Sequence, residues 1–199
     1  MSYQIDITLF RALAEYSPAE VCHRAQCRHD NSENSYYLTY WGDEYRVDCL
    51  NETIDRLTSN FSKPHDYLPV FILNYLMHVN NIPLTGEWIS EKDIPGGVTF
   101  FRGPHEIPTQ LISSRFNNDL GGFGRACTQL HGRPLSMADA AYVFNPSPRI
   151  SIALLYWLGD EEFPAEAKLL LDKSISGSLA LDTVYALAVD ACSRVSQFQ

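Results

Sequence analysis

The strongest pattern in the chain is an apolar stretch with a helical period. Residues 67–79 are apolar on nearly every side of a helix, with Pro69 in the first turn, and predict a central buried helix. A capping box that runs from Ser17 to Glu20 predicts the start of a second helix. The helices predicted elsewhere cover residues 6–15, 18–28, 51–60, 182–196 and, in two pieces broken between 117 and 122, 105–131.

Other segments have the composition and alternation of β-strands. Residues 36–41 and 45–50 are β-rich and flank Gly42-Asp43-Glu44, which predicts a hairpin. Its alternation predicts one face formed by Tyr37, Thr39 and Trp41. Apolar runs at 98–101 and 150–158 predict two further strands.

Together these elements predict a single mixed α+β domain over residues 1–199. We expect a small β-sheet packed against helices, including the central buried helix. The chain divides into a helical N-terminal segment at 1–30, the hairpin at 36–50, and a core that follows them. No internal repeat, low-complexity tract or linker interrupts it.

Composition narrows the classes of function. The chain has 199 residues, of which 45% are hydrophobic and 20% charged, and this is typical of one globular domain. The net charge of −9 argues against nucleic acid or an anionic membrane as the main partner. Neither a membrane-spanning stretch nor an export signal is visible, so we expect a cytoplasmic protein.

The cysteines fit the same expectation. There are five of them, at positions 22, 27, 49, 127 and 192, and none belongs to a CxxC pair. In a reducing compartment such residues are free thiols that behave as small apolar side chains.

The first candidate site is the segment VTFFRGPHEIP at 98–108. Arg102 and His105 leave the predicted strand on either side of Gly103 and Pro104, which restrict the path of the backbone. Arginine offers planar donors to a carboxylate or phosphate, and histidine offers a titratable donor or a metal nitrogen. We therefore expect a ligand-binding site for an anionic or metal-containing molecule. The alternative is a structural turn in which Arg102 pairs with an acidic residue.

A second candidate is the acidic corner GDEEFP at 159–164. Asp160 and Glu162 follow the buried strand at 150–158, and such carboxylates bind divalent cations or act as general acid and base. The alternative is a solvated turn that caps its own backbone. If the strands at 98–101 and 150–158 are parallel neighbours, Arg102 faces Asp160 or Glu162.

Two histidine-containing segments offer weaker metal candidates. His78 lies in the central helix, where it is either a satisfied core residue or an axial ligand for a bound tetrapyrrole. Near the N-terminus, His23 and Cys27 share a helix face whereas Cys22 and Cys27 do not, and His29 follows. That face carries only half of a structural zinc site.

Several longer strings resemble a known family. They are PLTGEWIS, IPGG, FFRGPHEIP, AYVFNPSPRISIALLYWLGDEEFPAEAKLLLD and LALDTVYALA. Over residues 65–190 the chain resembles the bacterial and archaeal domain-of-unknown-function family 3786, with FFRGPH and GDEEFP as its most specific motifs. The resemblance implies an occurrence mainly in anaerobes and an association with corrinoid, haem or one-carbon metabolism. It implies no particular activity, and this chain lacks the four-cysteine cluster that such an association involves.

These observations favour a cytoplasmic binding protein for a small anionic or metal-containing ligand, a tetrapyrrole included, held near Arg102 and His105. The alternatives are a metal-assisted or acid/base hydrolytic enzyme that uses Asp160 or Glu162, and an assembly factor that docks a protein partner. The metal candidates are His105, His78 and Asp160, and the sequence identifies no cofactor.

Overall fold

The structure is a computed structural model that describes residues 7–59 and 65–197. Within these residues the chain forms helices and two antiparallel sheets, which confirms the predicted α+β class. The helices are α1 (Ile7–Ala14), α2 (Pro18–Ala25), α3 (Leu68–His78), α4 (Gly97–Phe100), α5 (Gln110–Phe116), α6 (Leu120–Gln129) and α7 (Leu181–Gln197). The strands are β1 (Arg28–Asp30), β2 (Ser35–Tyr40), β3 (Asp43–Asp48), β4 (Thr53–Arg56), β5 (Trp88–Ile89), β6 (Arg133–Pro134), β7 (Ala140–Ser147), β8 (Ile150–Trp157) and β9 (Glu166–Asp172).

The first sheet has the order β1-β2-β3-β4 and contains the predicted hairpin. Its turn consists of Trp41 and Gly42, both with positive φ, so that Tyr40 pairs with Asp43. The turn therefore lies one residue earlier than predicted. The expected face of Tyr37, Thr39 and Trp41 is wrong for this reason: Trp41 is buried within the turn, while Thr39 is exposed.

The predicted helix over 51–60 is wrong. Residues Thr53–Arg56 form β4, which pairs with β3, and residue 60 lies outside the described residues. Pairing with β3 satisfies the backbone, and the Arg56 guanidinium donates to the fully buried carboxylate of Asp43. Tertiary contacts of this kind override a local helical preference.

The second sheet has the order β5-β9-β8-β7-β6. Its central strand β8 is buried along nearly its whole length, as the apolar run at 150–158 predicts. β9 lies between β8 and the short edge strand β5, and β5 pairs with it at Leu171 and Asp172. Asp172 is buried there, and its carboxylate accepts from the N–H groups of Thr85 and Gly86.

α3 confirms the predicted central helix, with Pro69 in its first turn. Leu73 is completely buried, and α7 packs along α3 as the second long core helix. α2 begins at Pro18 as predicted, although the Ser17 side chain makes no capping hydrogen bond. No helix within the described residues has the length and apolar character needed to cross a bilayer.

The predicted strand at 98–101 is also wrong, because α4 covers Gly97–Phe100. Val98 and Thr99 are consecutive and both exposed, so the run lacks the alternation of a half-buried strand. Gly97 allows the close approach of the preceding 3-10 turn, since a Cβ there would lie 2.0 Å from the Glu91 carbonyl oxygen.

The two predicted helices within 105–131 are confirmed as α5 and α6. The break between them lies at Asn117, which has a φ of 48°. Gly121 and Gly122, expected to interrupt the pattern, lie inside α6 instead, because the Asp119 carboxylate accepts from the Gly122 N–H and caps the helix.

Candidate functional site

Arg102 and His105 lie in the connection between α4 and α5. Gly103, Pro104 and His105 form a 3-10 turn that starts from extended backbone at Arg102. Gly103 has a φ of 55°, which agrees with the expectation of a left-handed residue at this position. Phe101 anchors the start of the segment in the core, and both candidate side chains are exposed.

Two aromatic rings fix the position of the His105 ring. Phe100 stacks on it with the ring centroids 4.6 Å apart and an interplanar angle of 18°. Tyr185 of α7 contacts it edge-on, with the centroids 5.4 Å apart. Among the described residues, neither ring nitrogen of His105 has a hydrogen-bond partner. The rings of Phe100 and Tyr185 thus fix the imidazole, while its two nitrogens stay accessible to a ligand.

Tyr185 also holds the turn itself. Its hydroxyl donates to the Pro104 carbonyl oxygen at 3.0 Å. Burial, together with the neighbouring Tyr67, raises the pKa of Tyr185 and keeps this hydroxyl a donor. The last helix of the chain therefore positions the turn that carries His105.

The ring contacts continue across the surface. Tyr185 contacts Tyr67 with centroids 6.1 Å apart, and Tyr67 contacts His65 at 4.8 Å. Tyr67 is 42% exposed, and Phe100 and Tyr185 are partly buried against the core. We call this set the aromatic strip; its members are His65, Tyr67, Phe100, His105 and Tyr185. They come from three separate parts of the sequence, and no local pattern indicates that they meet.

Arg102 is a cationic residue between Phe100 and His105 of the aromatic strip in the sequence. Its side chain forms neither an ion pair nor a hydrogen bond with any residue in the described part of the chain. The alternative was a structural turn in which Arg102 pairs with an acidic residue. No described residue provides that acidic partner. The helical stretch predicted from residue 105 begins only at Gln110, as the short helix α5, so the dipole of that helix adds nothing at His105.

The acidic corner at 159–164 is separate from the Arg102–His105 turn, and its Asp160 carboxylate bonds to backbone groups of the corner itself. The Asp160 carboxylate accepts from the N–H groups of Glu162 and Phe163, each at 2.8 Å. The Phe163 and Glu162 N–H groups lower the pKa of Asp160. Within the described residues, no ion pair joins Arg102 to Asp160 or Glu162. The expected meeting of the two segments required a strand at 98–101, which does not exist.

The metal candidates are dispersed. His78 is exposed at the end of α3, where it contacts the Tyr16 ring edge-on, so the expectation of a core histidine is wrong. α3 ends at this residue, which places its side chain outside the apolar layer. In the described part of the chain, no group of three or more His, Cys, Asp or Glu side chains is arranged to hold a metal ion.

The N-terminal cysteines are closer than the sequence indicates. α2 ends at Ala25 and Gln26 adopts a left-handed conformation, whereas the prediction continued the helix to residue 28. As a result the Sγ atoms of Cys22 and Cys27 lie 3.8 Å apart. The expectation that these two side chains diverge is therefore wrong.

A buried ion pair on α7 supports one end of the aromatic strip. Asp190 and Arg194 are 1% and 0% exposed, and the Arg194 Nε donates to the Asp190 carboxylate at 2.7 Å. The same carboxylate accepts from the Tyr40 hydroxyl at 2.8 Å and from the backbone N–H of His65 at 2.9 Å. Burial and the adjacent Asp190 raise the pKa of Tyr40 well above its usual value. The sequence signal for this pair was the spacing of Asp190 and Arg194, which are four residues apart in a mostly apolar part of the helix.

A concave surface adjoins the turn. A cleft of about 250 Å³ is lined by residues of the 101–109 segment, by the 90–92 turn and by β9. Its lining includes Lys92 and Lys168 together with Glu91, Glu106 and Glu166. Its charges are mixed, with two lysines and three glutamates, so the cleft as a whole does not favour an anion.

Comparison of the chain with known proteins finds a match to one protein family. No curated protein and no solved structure matches the chain significantly. A family model described as "Domain of unknown function (DUF3786)" matches residues 17–194. The match includes the Arg102–His105 turn and most of α7, and it extends further toward the N-terminus than the resemblance at 65–190. The chain belongs to the DUF3786 family of domains of unknown function.

Proposed function

We propose that the protein binds a small anionic ligand with a planar ring, which contacts the aromatic strip while Arg102 pairs with its negative charge. The observation that carries this proposal is the His105 ring, which Phe100 and Tyr185 hold in place while its nitrogens have no partner among the described residues. A fixed side chain loses little conformational entropy when it binds a ligand.

The charge of Arg102 supports an anionic ligand. The chain carries a net charge of −9, yet the Arg102 guanidinium has no acidic partner in the described residues. A guanidinium binds carboxylate or phosphate through two parallel hydrogen bonds. The acidic surroundings disfavour a long polyanion, so a small ligand with one or two negative charges fits best.

The exposed rings support a planar ligand. Aromatic faces favour offset stacking with another π-system, and the aromatic strip offers Tyr67 and His105 at the surface. A carboxylate-bearing tetrapyrrole is one ligand of this class, and His105 would supply an axial nitrogen to its metal. The cytoplasmic location belongs to the same proposal, and the five free cysteines support it.

The proposal is tested by NMR of the histidine rings. The His105 signals are assigned by their loss in His105→Gln, and the protein is titrated with benzoate, cyclohexanecarboxylate and inorganic phosphate. Benzoate should shift the His105 signals at about millimolar concentrations, and cyclohexanecarboxylate, which has the charge without the π-system, should bind more weakly. Arg102→Ala should weaken the benzoate effect.

The matched control is Arg115→Ala. Arg115 is another exposed arginine beside an aromatic ring, with its guanidinium 5.4 Å from the Phe116 ring. Its removal should leave benzoate binding unchanged. The proposal fails if His105 responds to none of the three probes, or if Arg102→Ala and Arg115→Ala have the same effect.

A second candidate is docking of a protein partner, since exposed aromatic side chains are enriched at interfaces. The 42% exposure of Tyr67 favours it. Tyr67→Ser should then reduce the apparent size of the protein in cell extract without changing its size when purified. The hydrolytic alternative lacks comparable support, because the Asp160 carboxylate accepts from its own backbone and has no basic partner among the described residues.

A further inference from the structure

The end of α2 brings two cysteine side chains together. The N–H of Gln26 and the N–H of Cys27 both bond to the carbonyl oxygen of Cys22, at the point where Gln26 takes a φ of 53°. The bond from Cys27 is the 6→1 hydrogen bond of the Schellman motif, which brings the third residue before the helix end into contact with the second residue beyond it. In most proteins that contact is between apolar side chains. Here both positions are cysteine.

The two thiols are the accessible close pair among the described residues. Their Sγ atoms lie 3.8 Å apart, which is van der Waals contact, and both residues are partly exposed. Cys127 and Cys192 are buried by contrast. Cys49 is partly exposed, and it lies near the same buried tyrosine, Tyr36, as the pair does.

We propose that Cys22 and Cys27 are a dithiol modification site, which low-molecular-weight disulfides such as oxidised glutathione convert to an intramolecular disulfide. This site is independent of the ligand site at Arg102 and His105. It also agrees with reduced cysteines in a reducing compartment, because the conversion needs a disulfide oxidant.

The reaction proceeds in two exchange steps. The Cys22 thiolate attacks one sulfur of oxidised glutathione, which forms a Cys22–glutathione disulfide and releases one glutathione thiolate. The Cys27 sulfur then attacks Cys22, which releases the second glutathione thiolate and forms the Cys22–Cys27 bond. Two protein thiols are oxidised, one glutathione disulfide is reduced, and the two thiol protons go to the two glutathione molecules.

The surroundings set the order of these steps. Burial, and then the adjacent Cys22, raise the pKa of the Cys27 thiol, so Cys27 is a poor first nucleophile near neutral pH. The second step is intramolecular, and contact between the sulfurs gives it a high effective concentration. Cys22 is therefore the attacking residue and Cys27 the resolving one.

The experiment uses the folded, reduced protein treated with oxidised glutathione. The protein is then denatured so that iodoacetamide blocks all remaining thiols, the buried Cys127 and Cys192 included, and it is digested with trypsin without reduction. Cleavage after Arg24 separates the cysteines, so the disulfide should link the peptides 12–24 and 25–28. The Cys49 peptide, 47–56, should carry the iodoacetamide label, and two of the five thiols should be lost.

Two variants make the result decisive. Cys27→Ser should stop the reaction at a stable glutathione adduct on Cys22, and Cys49→Ser should leave the linked peptides unchanged. The proposal is overturned if all five thiols are labelled after treatment, if Cys49 takes part in the disulfide, or if Cys27→Ser accumulates no adduct on Cys22.

Discussion

The hydroxyl of Tyr185 donates a hydrogen bond to the carbonyl oxygen of Pro104 at 3.0 Å. This hydrogen bond joins α7 to the turn that carries Arg102 and His105. Because Tyr185 also contacts the His105 ring, the core helix α7 determines where the candidate site lies.

Tyr185→Phe tests this coupling. The substitution removes the hydrogen bond and keeps the ring that contacts His105. We expect the free energy of unfolding to fall by about 0.5–1.5 kcal/mol, as for one ordinary hydrogen bond, and benzoate binding to weaken. Urea unfolding measures the first effect. If stability and binding both stay at wild-type values, the contact does not position the turn.

Gly103 and Gly97 should differ in how they respond to substitution. Gly103 has a φ of 55°, and apart from its chain neighbours no atom of the described residues lies within 4 Å of the position that a Cβ would take. Gly103→Val therefore adds only backbone strain, about 1–2 kcal/mol. At Gly97 a Cβ would lie 2.0 Å from the Glu91 carbonyl oxygen, so Gly97→Ala should destabilise more. The reverse order in urea unfolding contradicts this account of the segment.

Leu73→Ala tests the role of α3 as the core helix. Leu73 is completely buried, and its truncation should cost about 2–5 kcal/mol through a cavity. His78→Ala, at an exposed position of the same helix, is the matched control and should change stability by less than about 0.5 kcal/mol. An unchanged melting temperature for Leu73→Ala would mean that the helix is peripheral.

The sequence predicted the elements whose own pattern is strong. α3 is apolar on nearly every side over three turns, and the hairpin has glycine at its turn, so local chemistry is sufficient for both. The run at 98–101 was ambiguous, since four residues of which three are apolar fit a strand or one helical turn equally well. The strand at 53–56 depends on pairing with β3, which no local pattern contains.

The candidate site could be predicted only in part. Arg102 and His105 were identifiable because Gly103 and Pro104 mark a rigid turn. The partners of His105 were not, because Tyr185 is 80 positions further along the sequence and belongs to a helix whose docking fixes the contact. The cysteine pair depended on where α2 ends, and helix ends are the least predictable feature of a sequence.

Asp172 should make stability depend on pH in the acid range. Burial disfavours its charge, but hydrogen bonds from Ser174, Thr85 and Gly86 outweigh that effect and lower its pKa below 3.8. A lowered folded-state pKa contributes stability that is present above pH 3.8 and is lost as the pH falls through the folded-state value.

The difference in free energy of unfolding between the wild type and Asp172→Asn measures this contribution. The difference should be constant from about pH 7 to pH 5 and should shrink below about pH 4. A difference that grows on acidification would contradict the direction of the pKa shift.

The most direct test of the central claim compares Arg102→Ala and His105→Ala with the wild type in thermal melting and in benzoate binding. Both side chains are exposed and lie at the end of a turn that other residues hold in place. We predict nearly unchanged melting temperatures and clearly weakened binding for both variants. If both variants unfold, or if both bind benzoate as the wild type does, Arg102 and His105 do not form a ligand site.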